Sequence, residues 1–307
     1  MSLIKRLAGL LPARRALHIH LGPQSLLAVV RQGGSILDGG TLQIAFANPA
    51  GQWQAPLAAL RAMLAQPGEA GAPAVRSALA AKLPLHVSLS GRWCQMLMAP
   101  WSDALLSEPG AARFLEMQFA AIYGDAARGW TVSSDDAPYG QPRLACGIDT
   151  GLLDALHALA AEHGTRCAAI EPLAGAVSAS LAPDKPEAIA IVEPGRITMA
   201  ALSKGRVAAI QSQPCGAAWH AELAQAWQRW SLREPELAAI ADVAVVDLSG
   251  HPAALAAGQL PGRFRLAASP FGLAAGAPYA GSAHAGGKLP LSTVPANGKG
   301  RGSREAA

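Results

Sequence analysis

The side chains with chemistry to offer are few and far apart. His18 and His20 lie two residues apart, a spacing that on a strand puts both imidazoles on one face. Such a pair can bind zinc, but it supplies only two ligands and no third is identifiable, so ordinary strand residues are expected and no metal site is assigned. His163 and Cys167 stand four apart, yet Gly164 breaks the helix that would align them. Asp135-Asp136 falls in a Pro/Gly-rich loop, where a solvated turn outweighs a catalytic carboxylate pair. Ser90-Gly91 and Ser249-Gly250 lack the GxSxG frame of a nucleophile elbow. Cys94, Cys146, Cys167 and Cys215 form no CxxC pair and read as free thiols in a reducing compartment. No catalytic residue is assigned from these groups. The stretch that organises the chain is Ala16 to Arg31, ALHIHLGPQSLLAVVR, two extended segments around a Gly22-Pro23 turn.

The elements that would position these residues follow from periodicity and punctuation. Strands are expected over 17–21, 26–32 and 40–46, the last set off by glycine pairs at Gly33-Gly34 and Gly39-Gly40. A helix over 54–65 puts Leu57, Leu60, Met63 and Leu64 on one face, and a loop over 67–73 precedes a strand over 85–90. Cys94–Pro100 reads as a short strand. A helix then starts at Ser107-Glu108-Pro109, runs to Tyr123 and stops at Gly124. Strands over 130–134 and 143–148, a helix over 151–163 behind Asp149-Thr150, and a strand over 166–171 complete the first half. The second half repeats the opening: strands over 188–193, 197–202 and 207–213, a helix over 217–232, a shorter one near 234–240, and strands over 243–248 and 263–267.

The chain of 307 residues is long enough for two modest cores, and 51% hydrophobic against 15% charged residues marks it as globular. No apolar run approaches the length of a membrane span, and the first fifteen residues lack the long apolar region and cleavage site of a signal peptide. The net charge of +4 sits at the ends. Lys5, Arg6, Arg14 and Arg15 give +4 in residues 1–15, and Lys288, Lys299, Arg301 and Arg304 against Glu305 give +3 from Gly272 onward, which leaves the body at −3. A slightly acidic body argues against a nucleic-acid partner. Residues 1–15 read as a basic amphipathic leader with Leu3, Ile4, Leu7, Leu10 and Leu11 on one side, suited equally to an anionic membrane surface or to packing as a frayed leader on the first strand. Residues 272–307 collapse to Gly, Ala, Ser, Pro and Lys and are expected to be disordered.

Two aromatic groups invite a binding reading. Trp219, Leu223, Trp227 and Trp230 fall on one helix face, where packing on a sheet is favoured over exposure as partner anchors. Trp93, Met96, Met98 and Trp101 make a similar cluster in the first half.

Two successive halves of three strands, helix and strand resemble the actin-like superfold. Finer features are similar to the PilM and GspL family of type IV pilus and type II secretion assembly proteins. The runs that carry this are LHIHLGPQSLLAVV, VSLSGRWCQMLMAPWS, FLEMQFAAIYG, TVSSDDAPYGQPRLACGID, CAAIEPLAGAVSAS and VAVVDLSGHPAALAAGQLPGRFRLAASPFG, in the family's order over about residues 1–272. The resemblance implies an α/β fold of two ribonuclease-H-like domains: 16–172, with an inserted subdomain over about 92–149, and 173–271.

The resemblance also assigns three nucleotide turns. In the first, Gly22 and Ser25 fit but His20 replaces the family's Asp. In the second, Gly195 fits and Glu193 stands where an Asp is usual, but Pro194 lacks an N–H. The third would be at Gly250, before His251. These turns are therefore expected to be vestigial, with no working cofactor; the alternative is an ATPase or kinase that still binds Mg-ATP. By resemblance the chain would be a non-catalytic cytoplasmic scaffold, peripheral to the inner membrane. It would bind the cytoplasmic tail of a bitopic, single-span partner, with Trp93, Met96, Met98, Trp101, Trp219, Trp227 and Trp230 as candidate contacts.

Overall fold

The computed structural model describes residues 15–250 and 260–272. Residues 1–14 of the basic leader, residues 251–259 with His251, and the tail from 273 lie outside the described residues.

The first half begins with a meander of β1 (Arg15–Leu21), β2 (Ser25–Gln32) and β3 (Ser35–Ala45). The glycine pair at 39–40 does not start a new strand, as the sequence pattern suggested. β3 runs through it with a register shift opposite Val29 and Arg31, and Gly39 takes a φ of 62°. A Cβ on Gly40 would stand 2.6 Å from the Leu37 carbonyl oxygen, so only glycine fits this bulge. Helices α1 (Gln54–Ala65) and α2 (Pro73–Ala80) follow, then β4 (Leu85–Leu89). Helix α2 was not expected. Its proline sits in the first turn, where no N–H is needed, and Val75, Ala78 and Leu79 bury one face.

An antiparallel sheet comes next, built from β5 (Cys94–Ala99), β6 (Trp130–Ser134) and β7 (Arg143–Asp149) in the order β5-β7-β6, with α3 (Glu108–Tyr123) between β5 and β6. Leu97, Ala99, Leu115, Phe119 and Ala145 form its own small core. Helix α4 (Thr150–Glu162) is capped by Asp149, whose carboxylate accepts from the Leu152 N–H at 3.2 Å. β8 (Cys167–Pro172) returns to the first sheet, and α5 (Leu173–Leu181) follows.

The second half repeats the plan with β9 (Ala188–Glu193), β10 (Arg196–Ser203), β11 (Arg206–Pro214), α6 (Trp219–Arg233), β12 (Val243–Asp247) and β13 (Phe264–Leu266). The two large sheets have matching orders, β3-β2-β1-β4-β8 and β11-β10-β9-β12-β13. In each, the first three strands are antiparallel, and the fourth pairs parallel to the first and to the fifth. A parallel β1–β4 pair excludes an antiparallel sandwich.

The sheets bury their faces in three cores. One lies between the first sheet and α1, α2 and α4. A second lies under α6, and a third joins the halves. In the third, Leu27 and Val29 of β2 meet Ile189, Ile191, Ala244 and Val246 of the second sheet, with Leu173, Val177 and Leu181 of α5 among them. Helix α5 buries one face, Leu173, Ala174, Val177 and Leu181, but its remaining residues are Gly, Ala and Ser, which blurs the period that would mark it in sequence. Trp219, Trp227 and Trp230 are buried in the second core at 0%, 3% and 1% exposure. This is the sheet packing that the helix-face spacing favoured, and it removes the three tryptophans from the candidate partner contacts.

Candidate functional site

The central strands β1 and β9 end side by side between the halves. β1 leads into the Gly22-Pro23 turn, closed by the Gly22 N–H donating to the Ser25 carbonyl at 2.8 Å. β9 leads into Pro194-Gly195, with Gly195 at a φ of 79°. β12 leads into Ser249-Gly250. The turns meet at a cavity of about 310 Å3, lined by Pro23, Gln24, Arg92, Glu193, Gly195 and Ser249 among others. Gly250, at a φ of 71°, is exposed beside it.

The floor between the halves is a contact between His20 and Glu193. Both side chains are almost wholly buried, and His20 Nε2 lies 3.6 Å from Glu193 Oε1. His20 Nδ1 stands 3.2 Å from the Ser88 carbonyl oxygen, an acceptor only, so Nδ1 carries the proton and Nε2 presents its lone pair. Glu193 Oε2 accepts from the Gly91 N–H at 2.9 Å, while Oε1 has no partner other than the nearby imidazole.

Burial decides the charge states. It pushes His20 down to about 4, against the opposing pull of the Ser88 carbonyl. It raises Glu193, partly offset by the Ser90 hydroxyl, the Gly91 N–H and Arg196. The pair is thus a neutral imidazole facing a carboxyl group that favours its protonated form. Phe271 stacks on His20 with centroids 5.4 Å apart.

These residues fit a magnesium nucleotide poorly. The first turn offers an imidazole with a weak proton affinity where a metal shell needs a carboxylate. The second turn's carboxylate is already held by a backbone N–H from the other half, and Pro194 has no N–H for a phosphate. Among the described residues one cation, Arg92, lines the cavity, and its Nε donates to the Gly51 carbonyl at 2.9 Å. Among the described residues no group of three or more His, Cys, Asp or Glu could hold a metal.

Several participants were not singled out from sequence. Gly91 bonds Glu193 across the halves, and Asn48 Nδ2 donates to the Pro23 carbonyl at 2.9 Å. Asp247 Oδ1 accepts from the Ser249 N–H at 2.9 Å, bracing the third turn. Asp135 is no free turn carboxylate, since Arg206 of β11 grips it at 2.7 Å. Such partners meet only in three dimensions; no local spacing announces them.

The first-half cluster is partly divided. Trp93 Nε1 donates to the Gly51 carbonyl at 3.2 Å beside the cavity. Met96 and Met98 share the face of β5 opposite Leu97 and Ala99; Met96 packs on both the first core and the core between the halves. Trp101 lies at the core under α3, its ring 4.6 Å from exposed Tyr139. All four are only half-buried.

No family model matches the sequence, and no curated protein matches it. Solved structures do match by shape. The cytoplasmic domain of EpsL, an inner-membrane component of the type II secretion system of Vibrio cholerae, superposes with a TM-score of 0.54 at 12% identity, over 85% of this chain and 92% of that one. The PilM-PilN type IV pilus biogenesis complex matches with a TM-score of 0.54 at 12% identity, over 86% of this chain and 91% of that one. A Bacteroides thetaiotaomicron protein described as having an actin-like ATPase fold matches at 0.48 and 11% identity, over 80% of this chain and 84% of that one. The duplicated sheet order and the two likenesses at a TM-score of 0.54 bear out the actin-like fold expected from the sequence. Among the described residues no helix is long and apolar enough to cross a membrane.

Proposed function

We propose that this chain is a non-catalytic scaffold of the PilM/GspL kind, working at the inner-membrane platform of a type IV pilus or type II secretion system. The observation that carries the reading is the buried His20–Glu193 contact where a nucleotide's metal would sit. A cleft that closes on its own side chains needs no nucleotide to hold the halves together. The likeness in shape to EpsL and PilM supports the setting. In this reading the chain is cytoplasmic and peripheral to the membrane, and residues 1–15 contribute a basic surface contact. Its partner is the cytoplasmic tail of a single-span protein, met by the half-buried Trp93, Met96, Met98 and Trp101 around β5.

Calorimetric titration of the full chain with Mg-ATP tests it. No heat up to millimolar nucleotide is expected. Heat saturating at micromolar nucleotide would overturn the reading in favour of a working ATPase or kinase. Peptides copying the cytoplasmic tails of single-span proteins encoded beside this chain should bind, and Met98→Asp should weaken that binding at least tenfold.

A further inference from the structure

We propose that the end of the first sheet where β1 begins docks on an anionic lipid surface. β1, β4 and β8 run parallel, so Arg15, Lys82 and Arg166, at or just before their first residues, come to one end of the sheet. β2 runs antiparallel to β1 and delivers Arg31 to the same end, opposite Ala16. Bonds between the entering segments hold them side by side. The Leu17 N–H donates to the Pro84 carbonyl at 3.1 Å, the Leu85 N–H to the Arg166 carbonyl at 2.9 Å, and the Thr165 hydroxyl to the Leu83 carbonyl at 2.7 Å. The Lys82 side chain lies against Gly164.

These four cations have no anions of their own. Arg15, Lys82 and Arg166 are exposed and Arg31 is half-buried. Among the described residues none of the four is paired with a carboxylate. Arg15 donates to the Gln32 amide oxygen at 2.8 Å, and Arg31 to the Gly34 and Pro270 carbonyls, all neutral acceptors. Two acids stand close to them in sequence, Asp38 and Glu162, and Arg61 already holds Glu162 at 2.7 Å. The cationic charge reaches into the sheet. His18 and His86 stack across β1 and β4 with centroids 4.6 Å apart. Burial lowers His18 to about 4, helped by His86 and Arg31, and burial followed by Arg166 lowers His86. On a body that is acidic overall, this end is a cationic patch.

The sequence that joins the sheet at this point selects the partner. Lys5, Arg6 and Arg14 precede Arg15, and with the four they bring seven basic residues to one place. Clusters of about four to eight such residues are what an anionic bilayer attracts. Leu3, Ile4, Leu7, Leu10 and Leu11 lie among the same residues. An acyl boundary rewards that apolar set, whereas a nucleic acid does not. The inference rests on the peripheral placement proposed above and adds which end faces the bilayer. β1 spans seven residues, and its far end carries the Gly22-Pro23 turn. At about 3.3 Å per residue the cavity between the halves therefore stands about 20 Å from Arg15, on the side turned away from the lipid.

The test is co-sedimentation of the full chain with vesicles of phosphatidylglycerol and phosphatidylcholine in equal parts, against phosphatidylcholine alone. The chain should bind the first and not the second, and should release as salt shortens the reach of charge. Each Lys or Arg near an anionic bilayer strengthens binding about fivefold, so Lys82→Glu with Arg166→Glu should weaken it at least about tenfold. Both side chains are exposed and unpaired with acids, so circular dichroism melts should match the parent. Arg113→Glu with Arg128→Glu makes the same change of net charge on and after α3, and should weaken binding less than about twofold. Failure of the parent to bind, equal binding to phosphatidylcholine, equal loss in the two double variants, or capture by duplex DNA in place of vesicles would overturn the proposal. The scaffold reading is scored separately, by the Mg-ATP and tail-peptide titrations, which contain no lipid.

Discussion

An imidazole and a carboxyl group buried together make opposite demands on pH. Glu193→Gln keeps an acceptor for the Gly91 N–H and gives His20 Nε2 a permanent amide donor, so unfolding free energy should change by less than about 1 kcal/mol. Glu193→Ala leaves both groups unpaired and should cost about 1–3 kcal/mol or more. Urea denaturation of the two variants measures the difference. The pH dependence separates the partners further. His20 is lowered in the fold, so the stability tied to its neutral form is complete above the usual histidine value of 6.5 and is lost as pH falls toward about 4. Glu193 is raised, so its contribution is complete below the usual 4.5 and is lost as pH rises through its folded value. In Glu193→Gln only the histidine side remains, reinforced by His18, which burial and its neighbours His86 and Arg31 also lower to about 4. Denaturation midpoints of that variant should fall more steeply between pH 6.5 and 4.5 than those of the parent. A flat profile there would show that His20 is not held neutral.

At the scale of elements, caps and buried faces give sharper expectations. Asp149→Ala removes the acceptor for the Leu152 N–H at the start of α4 and should cost about 1 kcal/mol by thermal unfolding. Trp230 is buried under α6 and donates its indole N–H to Glu234 at 3.1 Å. Trp230→Ala should cost about 3–5 kcal/mol, and Trp230→Phe much less. The legible elements were those with one wet face and the unbroken apolar runs set between turn residues, such as β2 and β9, which are buried on both faces. α1 over 54–65 and β6 over 130–134 follow directly from apolar spacing and turn residues. Helix α5 had little such contrast: it buries Leu173, Ala174, Val177 and Leu181 on one face, but the rest of LAGAVSASL is Gly, Ala and Ser with no charge to mark a wet side. The strand through Gly39-Gly40 was misread because a bulge and a turn use the same residue. At the site, His20, Gly22, Glu193 and Gly195 were placed by the family resemblance, through its glycine turns repeated in two halves. Gly91, Asn48 and Phe271 could not, because nothing local marks a contact made across the halves.

At the scale of the molecule, the halves are joined by a shared core rather than by a simple hinge. Val177 of α5 is wholly buried between the two sheets, so Val177→Asp should unfold both halves together in a single cooperative transition followed by circular dichroism. Two separate transitions would mean that each half stands alone. The stretch after β13 strengthens this tie. Ala267 and Phe271 are buried between the halves, Phe271 lies on His20, and Arg31 donates to the Pro270 carbonyl from 239 residues away. During synthesis, then, β1 and β2 leave the ribosome long before the residues that finish their inward face. His20 must wait uncovered until Phe271 has emerged, which makes the sealing of this seam a late step of folding.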